Sequence, residues 1–164
     1  LAPLDGSLRA ETVLPFVSDL ARAHESHVLL AHVVQRPDMP RRTPLSPEDA
    51  ELVERFVERN RTEAIRYLDE VCRRLGDIDV ETRLVVANQS CAAVALHDLS
   101  NTEGTDLVVM SAHGCTGETA WPFGSAAISF IAYGSSPLLI VQDVPRDQLR
   151  LTAAELALQQ GGRR

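Results

Sequence analysis

Two periods of hydrophobic spacing take turns along this chain. Leu1 to Leu4 is short and apolar and is stopped by Asp5-Gly6-Ser7, which reads as the end of a strand and a turn. Ala10, Val13, Leu14, Val17 and Ala21 then recur at helical spacing, with Pro15 the one discordant residue. His27 to Val34 is an almost unbroken run rich in Val and Leu, as expected of a strand buried on both faces. Gln35 to Pro47 carries Pro37, Pro40, Pro44 and Pro47 and reads as a surface loop. Ser46 is an expected N-cap, with Pro47 at the first helical position and Asp49 three residues beyond the cap. The spacing of Val53, Phe56, Val57, Ala64, Leu68, Val71, Cys72 and Leu75 predicts one long helix from Pro47 to Leu75, stopped by Gly76.

The second half repeats the alternation. Val80 to Val86 switches between apolar and polar residues, so this strand has one wet face and belongs at an edge. Ser90 to Ser100 is a short Ala-rich helix, Leu107 to Met110 an apolar strand, and Ala112 to Phe123 a loop. Gly124 to Tyr133, with Ala127, Phe130 and Ile131, is a helix, and Leu138 to Val141 is the last strand. Strands alternating with helices give a parallel sheet of right-handed crossovers. The expected fold is α/β: one Rossmann-like domain over 1–145 with an open five-stranded sheet, order 3-2-1-4-5, and helices on both faces. Residues 146–164 form an Ala/Leu/Gln tail. The chain opens at Leu1 without a methionine, so residues of the first strand are expected to precede it.

Composition narrows the function classes. At 164 residues and 17.9 kDa the chain is long enough to bury a core without a staple. A net charge of -7 disfavours a bulk nucleic-acid binder, and no apolar run approaches the ~20 residues of a membrane span. The expectation is a cytoplasmic protein with neither nucleic acid nor membrane as partner. All 16 basic residues are Arg, so a Walker A lysine, a Schiff-base enzyme and pyridoxal phosphate chemistry are excluded. Cys72, Cys91 and Cys115 are odd in number and contain no CxxC pair, so they read as reduced thiols.

In an open parallel sheet, ligands sit beyond the carboxyl ends of the strands where the strand order reverses. Two loops have the small residues such a crevice needs: Pro3-Leu4-Asp5-Gly6-Ser7, and Ser111-Ala112-His113-Gly114-Cys115-Thr116-Gly117 running on to Gly124-Ser125. A helix opening at Gly124-Ser125 offers N–H groups and a positive dipole end to an anion.

These residues resemble the universal stress protein (UspA) family over Leu1 to Asp143. The family's nucleotide-binding members carry G-x2-G-x9-G-[S/T] after the fourth strand, and here the register is Ser111-x2-Gly114-x9-Gly124-Ser125. Pro3-x-Asp5-Gly6-Ser7, His32-Val33 and Ser136-Pro137-Leu138-Leu139-Ile140-Val141 also match. Two departures are Ser111 for the first motif glycine and Asn88 for a glycine before the third helix. The resemblance implies a regulatory module, not an efficient enzyme, that binds an adenine nucleotide, most simply ATP with Mg²⁺. It implies a site lined by Pro3, Leu4, Asp5, Val33, Met110, Ser111, His113, Gly114, Gly124, Ser125 and Ala126. Asp5 would meet the ribose or a metal, and Ser111 would lie near the ribose or α-phosphate. The backbone at Val33 would read the adenine edge, which makes the loop Gln35 to Pro47 after it a candidate lid. Gly114, Gly124, Ser125 and the Ala126 amide would cradle phosphates. The loop has no Arg and contains Glu118, so a divalent cation is needed to meet triphosphate charge. Alternatives are a member that acts through protein contacts without nucleotide, for which Ser111 is the motive, and a slow ATPase. A homodimer is expected through Leu138-Val141, an apolar strand placed at an edge.

Other single residues read more plainly. His27 and His32 lie on opposite faces of a strand, which separates them as metal ligands; no metal site is expected. His113 beside Cys115 and Ser125 is expected to pack within its loop, since no nucleophile elbow and no carboxylate placed to orient it is evident. Trp121 and Phe123 are expected to seat the loop as a hydrophobic plug. Arg55, Arg59, Arg66 and Arg73, interleaved with Glu51, Glu54, Glu58 and Glu63, form a solvated ion-pair face.

Overall fold

A computed structural model describes residues 1–37, 46–87, 91–115 and 121–143. Pro40 and Pro44 of the expected lid, Asn88, Thr116 to Glu118 and the tail lie outside the described residues. Strand β1 (Ala2–Pro3) is followed by a 3₁₀ turn (Ala10–Val13) and helix α1 (Leu14–His24). Strand β2 (Val28–Gln35), helix α2 (Pro47–Leu75), strand β3 (Val80–Ala87) and helix α3 (Ala92–Thr102) come next. Strand β4 (Val108–Ser111), helix α4 (Ser125–Tyr133) and strand β5 (Leu138–Val141) complete the order.

Local chemistry explains the boundaries. Pro15 falls in the first turn of α1, where its missing N–H costs no helical bond, so the turn tightens to 3₁₀ just ahead of it. Ser46 caps α2 by accepting from the Asp49 N–H at 3.1 Å, and Gly76, at φ +70°, ends the helix. Gly124 is the N-cap of α4, so that helix begins one residue later than its spacing predicts.

All the ladders are parallel. β1 pairs with β2 and β2 with β3, while β4 pairs with β5. The expected continuous sheet is therefore corrected at its centre: the described residues form a three-stranded and a two-stranded sheet. They meet at Leu1, whose carbonyl accepts from Val109 N–H at 2.9 Å and whose nitrogen donates to the Leu107 carbonyl at 2.8 Å. The junction is short because β1 has only two residues and Pro3 has no N–H to give. The spatial order is still 3-2-1-4-5, with β3 and β5 at the edges.

Successive β2 residues face opposite layers. Leu30 joins α1 and the end of α2 in one core, around Val13, Val17, Leu68 and Val71. Ala31 joins Leu96 of α3 and Ala127 and Phe130 of α4 in the other. Both faces are thus covered, which is what the apolar run through β2 requires. No helix among the described residues is long and apolar enough to cross a membrane.

Candidate functional site

The turn after β1 is built around one carboxylate. Gly6, at φ +83°, reverses the chain so that Asp5 Oδ1 accepts from Ser7 N–H at 3.0 Å and Ser7 Oγ at 2.6 Å. Ser7 Oγ in turn accepts from Ala10 N–H at 3.1 Å, capping the 3₁₀ turn. Asp5 Oδ2 reaches across to the loop after β4 and accepts from Cys115 N–H at 2.6 Å. Burial alone would raise this carboxyl's pKa, but the hydrogen bonds from Ser7 and Cys115 outweigh it and hold it below the ordinary value. Its partners are the backbone and side chain of Ser7 and the backbone and side chain of Cys115.

The contact also dictates the glycine beside it. A β-carbon on Gly114 would lie 2.2 Å from Asp5 Oδ2, inside the carboxylate. Gly124 is confined as well: its N–H donates to the Ala112 carbonyl at 2.7 Å, and a β-carbon there would meet that carbonyl at 3.3 Å and His113 Cα at 3.5 Å. Ser125 and Ala126 follow as the first residues of α4, where N–H groups have no acceptor within the helix.

Beneath these loops the predicted residues separate into two kinds. Asp5 meets Gly114 and Cys115, while Gly124, with Ser125 and Ala126 after it, sits on Ala112 and His113. Leu4, Met110, Ser111 and His113 are buried and support that surface from below. Leu4 N–H pairs with the Ala31 carbonyl at 2.8 Å, and Pro3, half-buried, closes β1 beside it. Val33, Met110 and Ala126 share the hydrophobic cluster under the crevice. Ser111 keeps a negative φ, and its hydroxyl donates to the His113 carbonyl.

Two side-chain readings need correction. His113 is oriented by a carboxylate after all: Asp143 Oδ1 lies 2.8 Å from Nδ1 and accepts from the His113 N–H at 3.1 Å. Nothing local in the sequence marks Asp143, because it stands 30 residues away, just past β5. The far ring nitrogen, Nε2, meets the Trp121 carbonyl at 2.6 Å, so the ring is spent on the loop and no Cys or Ser nucleophile is activated by it. Of the expected plug, Phe123 packs into the core of α3 and α4, but Trp121 is 57% exposed. The Trp121 contact given by the fold is its backbone carbonyl, which meets the His113 ring.

His27 and His32 are separated as expected. His27 is exposed and pairs with Asp79, while His32 lies against Tyr67 with ring centroids 6.2 Å apart. A cavity of about 460 Å³ runs between β2 and α2, lined by Gly6, His32, Val33, Asn60, Glu63 and Tyr67 among others. A second, of about 500 Å³, opens at the opposite, amino ends of the strands. Among the described residues no group of three or more His, Cys, Asp or Glu could hold a metal ion.

The geometry agrees with relatives of known structure. The Lactobacillus plantarum universal stress protein UspA superposes with a TM-score of 0.73 at 13% identity, over 85% of this chain and 94% of that one. A universal stress protein in complex with cAMP gives 0.56 at 19% identity, over 87% and 94%. An Arabidopsis thaliana family protein, At3g01520 with AMP bound, gives 0.50 at 15% identity, over 84% and 77%. Among the curated proteins compared, none matches. At these identities the likeness establishes the fold alone, but the family model for universal stress proteins matches residues 1–142, and on that match this chain belongs to the universal stress protein family.

Proposed function

We propose that this chain is a regulatory module that binds an adenine nucleotide, ATP with Mg²⁺, over the carboxyl ends of β1 and β4. The observation that carries this reading is the seam between Asp5 and Gly114, where a carboxylate and a side-chain-free backbone are pressed together with no room for a β-carbon. That seam sets the Asp5 turn against the residues just after β4, where a ligand with a ribose at one end and phosphates at the other would lie across the two loops. The Gly114, Ser125 and Ala126 amides would face the phosphates, and the Asp5 carboxylate would meet a ribose hydroxyl or the cation. The Val33 backbone would read the adenine. Related proteins of this fold in complex with cAMP and with AMP support the class of ligand. His113, buried and bonded at both ring nitrogens, has no ring atom to offer an attacking water, which favours binding over turnover.

The same reading includes a homodimer. β5 ends the sheet among the described residues, and Leu139 is 36% exposed on it, an apolar edge that a second copy of the strand would cover. Sedimentation as a dimer at micromolar concentration is expected; a monomer would remove this part of the proposal.

Calorimetric titration with ATP, with and without Mg²⁺, tests the nucleotide site. Gly124→Val drives methyl groups toward the Ala112 carbonyl and should weaken ATP binding roughly 10- to 150-fold, the loss of one charge-assisted bond. Chelating Mg²⁺ should weaken the wild type too. Equal affinity in the two proteins would place the nucleotide elsewhere, and no binding by the wild type would overturn the reading.

A further inference from the structure

A charged cluster lies under the phosphate loop that the nucleotide reading leaves without a role. The side chains of His113 and Asp143 are both 0% exposed. One oxygen, Asp143 Oδ1, meets two nitrogens of the same residue, His113 N at 3.1 Å and Nδ1 at 2.8 Å. On the other side of the ring Nε2 meets the Trp121 carbonyl at 2.6 Å. The ring therefore joins the start of the loop to its end, while Asp143 ties both to the exit of β5. Gly124 sits directly on it, since a β-carbon there would be 3.9 Å from His113 Cδ2. Asp143 Oδ2 faces the Arg9 guanidinium, with Nε at 3.7 Å, and has no hydrogen bond among the described residues.

A buried carboxylate is expensive to desolvate, and one close to an anion site would repel the ligand. Attraction for phosphate therefore cannot be what Asp143 supplies. What it does supply is orientation. A loop that is to aim N–H groups at an anion has to be held by contacts that leave those N–H groups unspent, and here side-chain atoms of His113 make the contacts. We propose that Asp143 is a positioning residue for the anion site, acting through His113 to hold Gly114 and the Gly124–Ala126 segment in register. The inference rests on the nucleotide reading and adds the residue that keeps its loop aimed.

Two variants separate orientation from general stability. Asp143→Ala removes the acceptor; Asp143→Asn keeps one oxygen at Oδ1 and the shape while removing the charge. Titration with ATP and with adenosine should show Asp143→Ala losing about tenfold or more for ATP, with adenosine affinity changed less than about threefold. Asp143→Asn should stay within about threefold of wild type for ATP. Amide hydrogen exchange at 113–115 and 121–126 should quicken in Asp143→Ala and not in Asp143→Asn. A merely structural role predicts equal losses for both ligands, and that outcome, or unchanged ATP affinity in Asp143→Ala, overturns the inference. Should Asp143→Ala fail to fold, His113→Gln, which breaks the link between Asp143 and Trp121, is held to the same comparison. If wild type binds neither ligand the nucleotide reading itself falls; if it binds ATP and the variants match it, only the positioning role does.

Discussion

The Asp5 carboxylate occupies the volume that any side chain at position 114 would need, with Oδ2 2.2 Å from where a β-carbon of Gly114 would stand. Gly114→Ala must push the carboxylate away from Cys115 N–H, which it holds at 2.6 Å. Overpacking of this kind costs about 1–3 kcal/mol. Asp5→Gly in the same background removes the obstacle, so the double variant should regain part of that loss. Urea unfolding of the wild type, the two single variants and the double variant measures the coupling. Additive losses would show that the two residues do not share the space.

Two histidines of one segment should respond to pH with opposite sign. A hydrogen bond to Asp79, seconded by Glu81, raises the pKa of exposed His27 above its ordinary 6.5. Its contribution is present below 6.5 and is lost as pH rises through the folded value. Burial pushes His32 the other way, below 6.5, so its contribution is present above that value and is lost on acidification. His27→Gln should therefore lower stability at about pH 5.5 and do little at about pH 8, while His32→Gln should flatten the acid-side loss. His32 also packs on Tyr67, so the slope with pH, not the absolute stability, is the quantity to compare. Parallel slopes in the two variants would contradict the assignment.

How legible each element was follows from where its information lies. The ends of α2 could be read to the residue because the Ser46 cap and the Gly76 stop are local chemistry. Pro15 looked discordant only because the helical period runs through the 3₁₀ turn as well as α1. The weak junction of β1 with β4 was not readable, since which hydrogen bonds Pro3 forfeits depends on its neighbour in space. In the site, the glycines and Asp5 carried a spacing that could be recognised. Asp143 and Arg9 did not, because each meets His113 or the other only after β5 is laid beside β4. Trp121 misled because an aromatic residue near a loop reads as a plug, whereas here its carbonyl does the holding.

Arg9 should matter through Asp143. Its Nε stands 3.7 Å from Oδ2, and its own side chain is 38% exposed while that of Asp143 is fully buried. Arg9→Gln leaves a buried carboxylate with less compensating charge, at a cost between those of surface and buried pairs, about 1–2 kcal/mol. Adding Asp143→Asn removes the charge that needed compensation, so the double variant should be more stable than Arg9→Gln alone. Thermal and urea unfolding of this cycle measure it. A double variant less stable than both single variants would mean that Arg9 serves the fold by packing and not by charge.

Ser111 is the position where the motif and the structure make different demands. A glycine in the motif allows close approach of the backbone, yet Ser111 has a negative φ, is 8% exposed, and donates its hydroxyl to the His113 carbonyl. The side chain is thus spent on its own loop, and its removal is expected to clear no path for a ligand. Ser111→Gly forfeits one hydrogen bond, about 0.5–1.5 kcal/mol, and adds unfolded-state freedom of roughly 0.5–1 kcal/mol. Stability should fall by about 1–2 kcal/mol, while ATP affinity should stay within about threefold of wild type. Urea unfolding and calorimetric titration on one preparation decide between the two demands. A tenfold gain in ATP affinity would mean that the hydroxyl does obstruct the phosphates, and that it turns into the crevice when a ligand arrives.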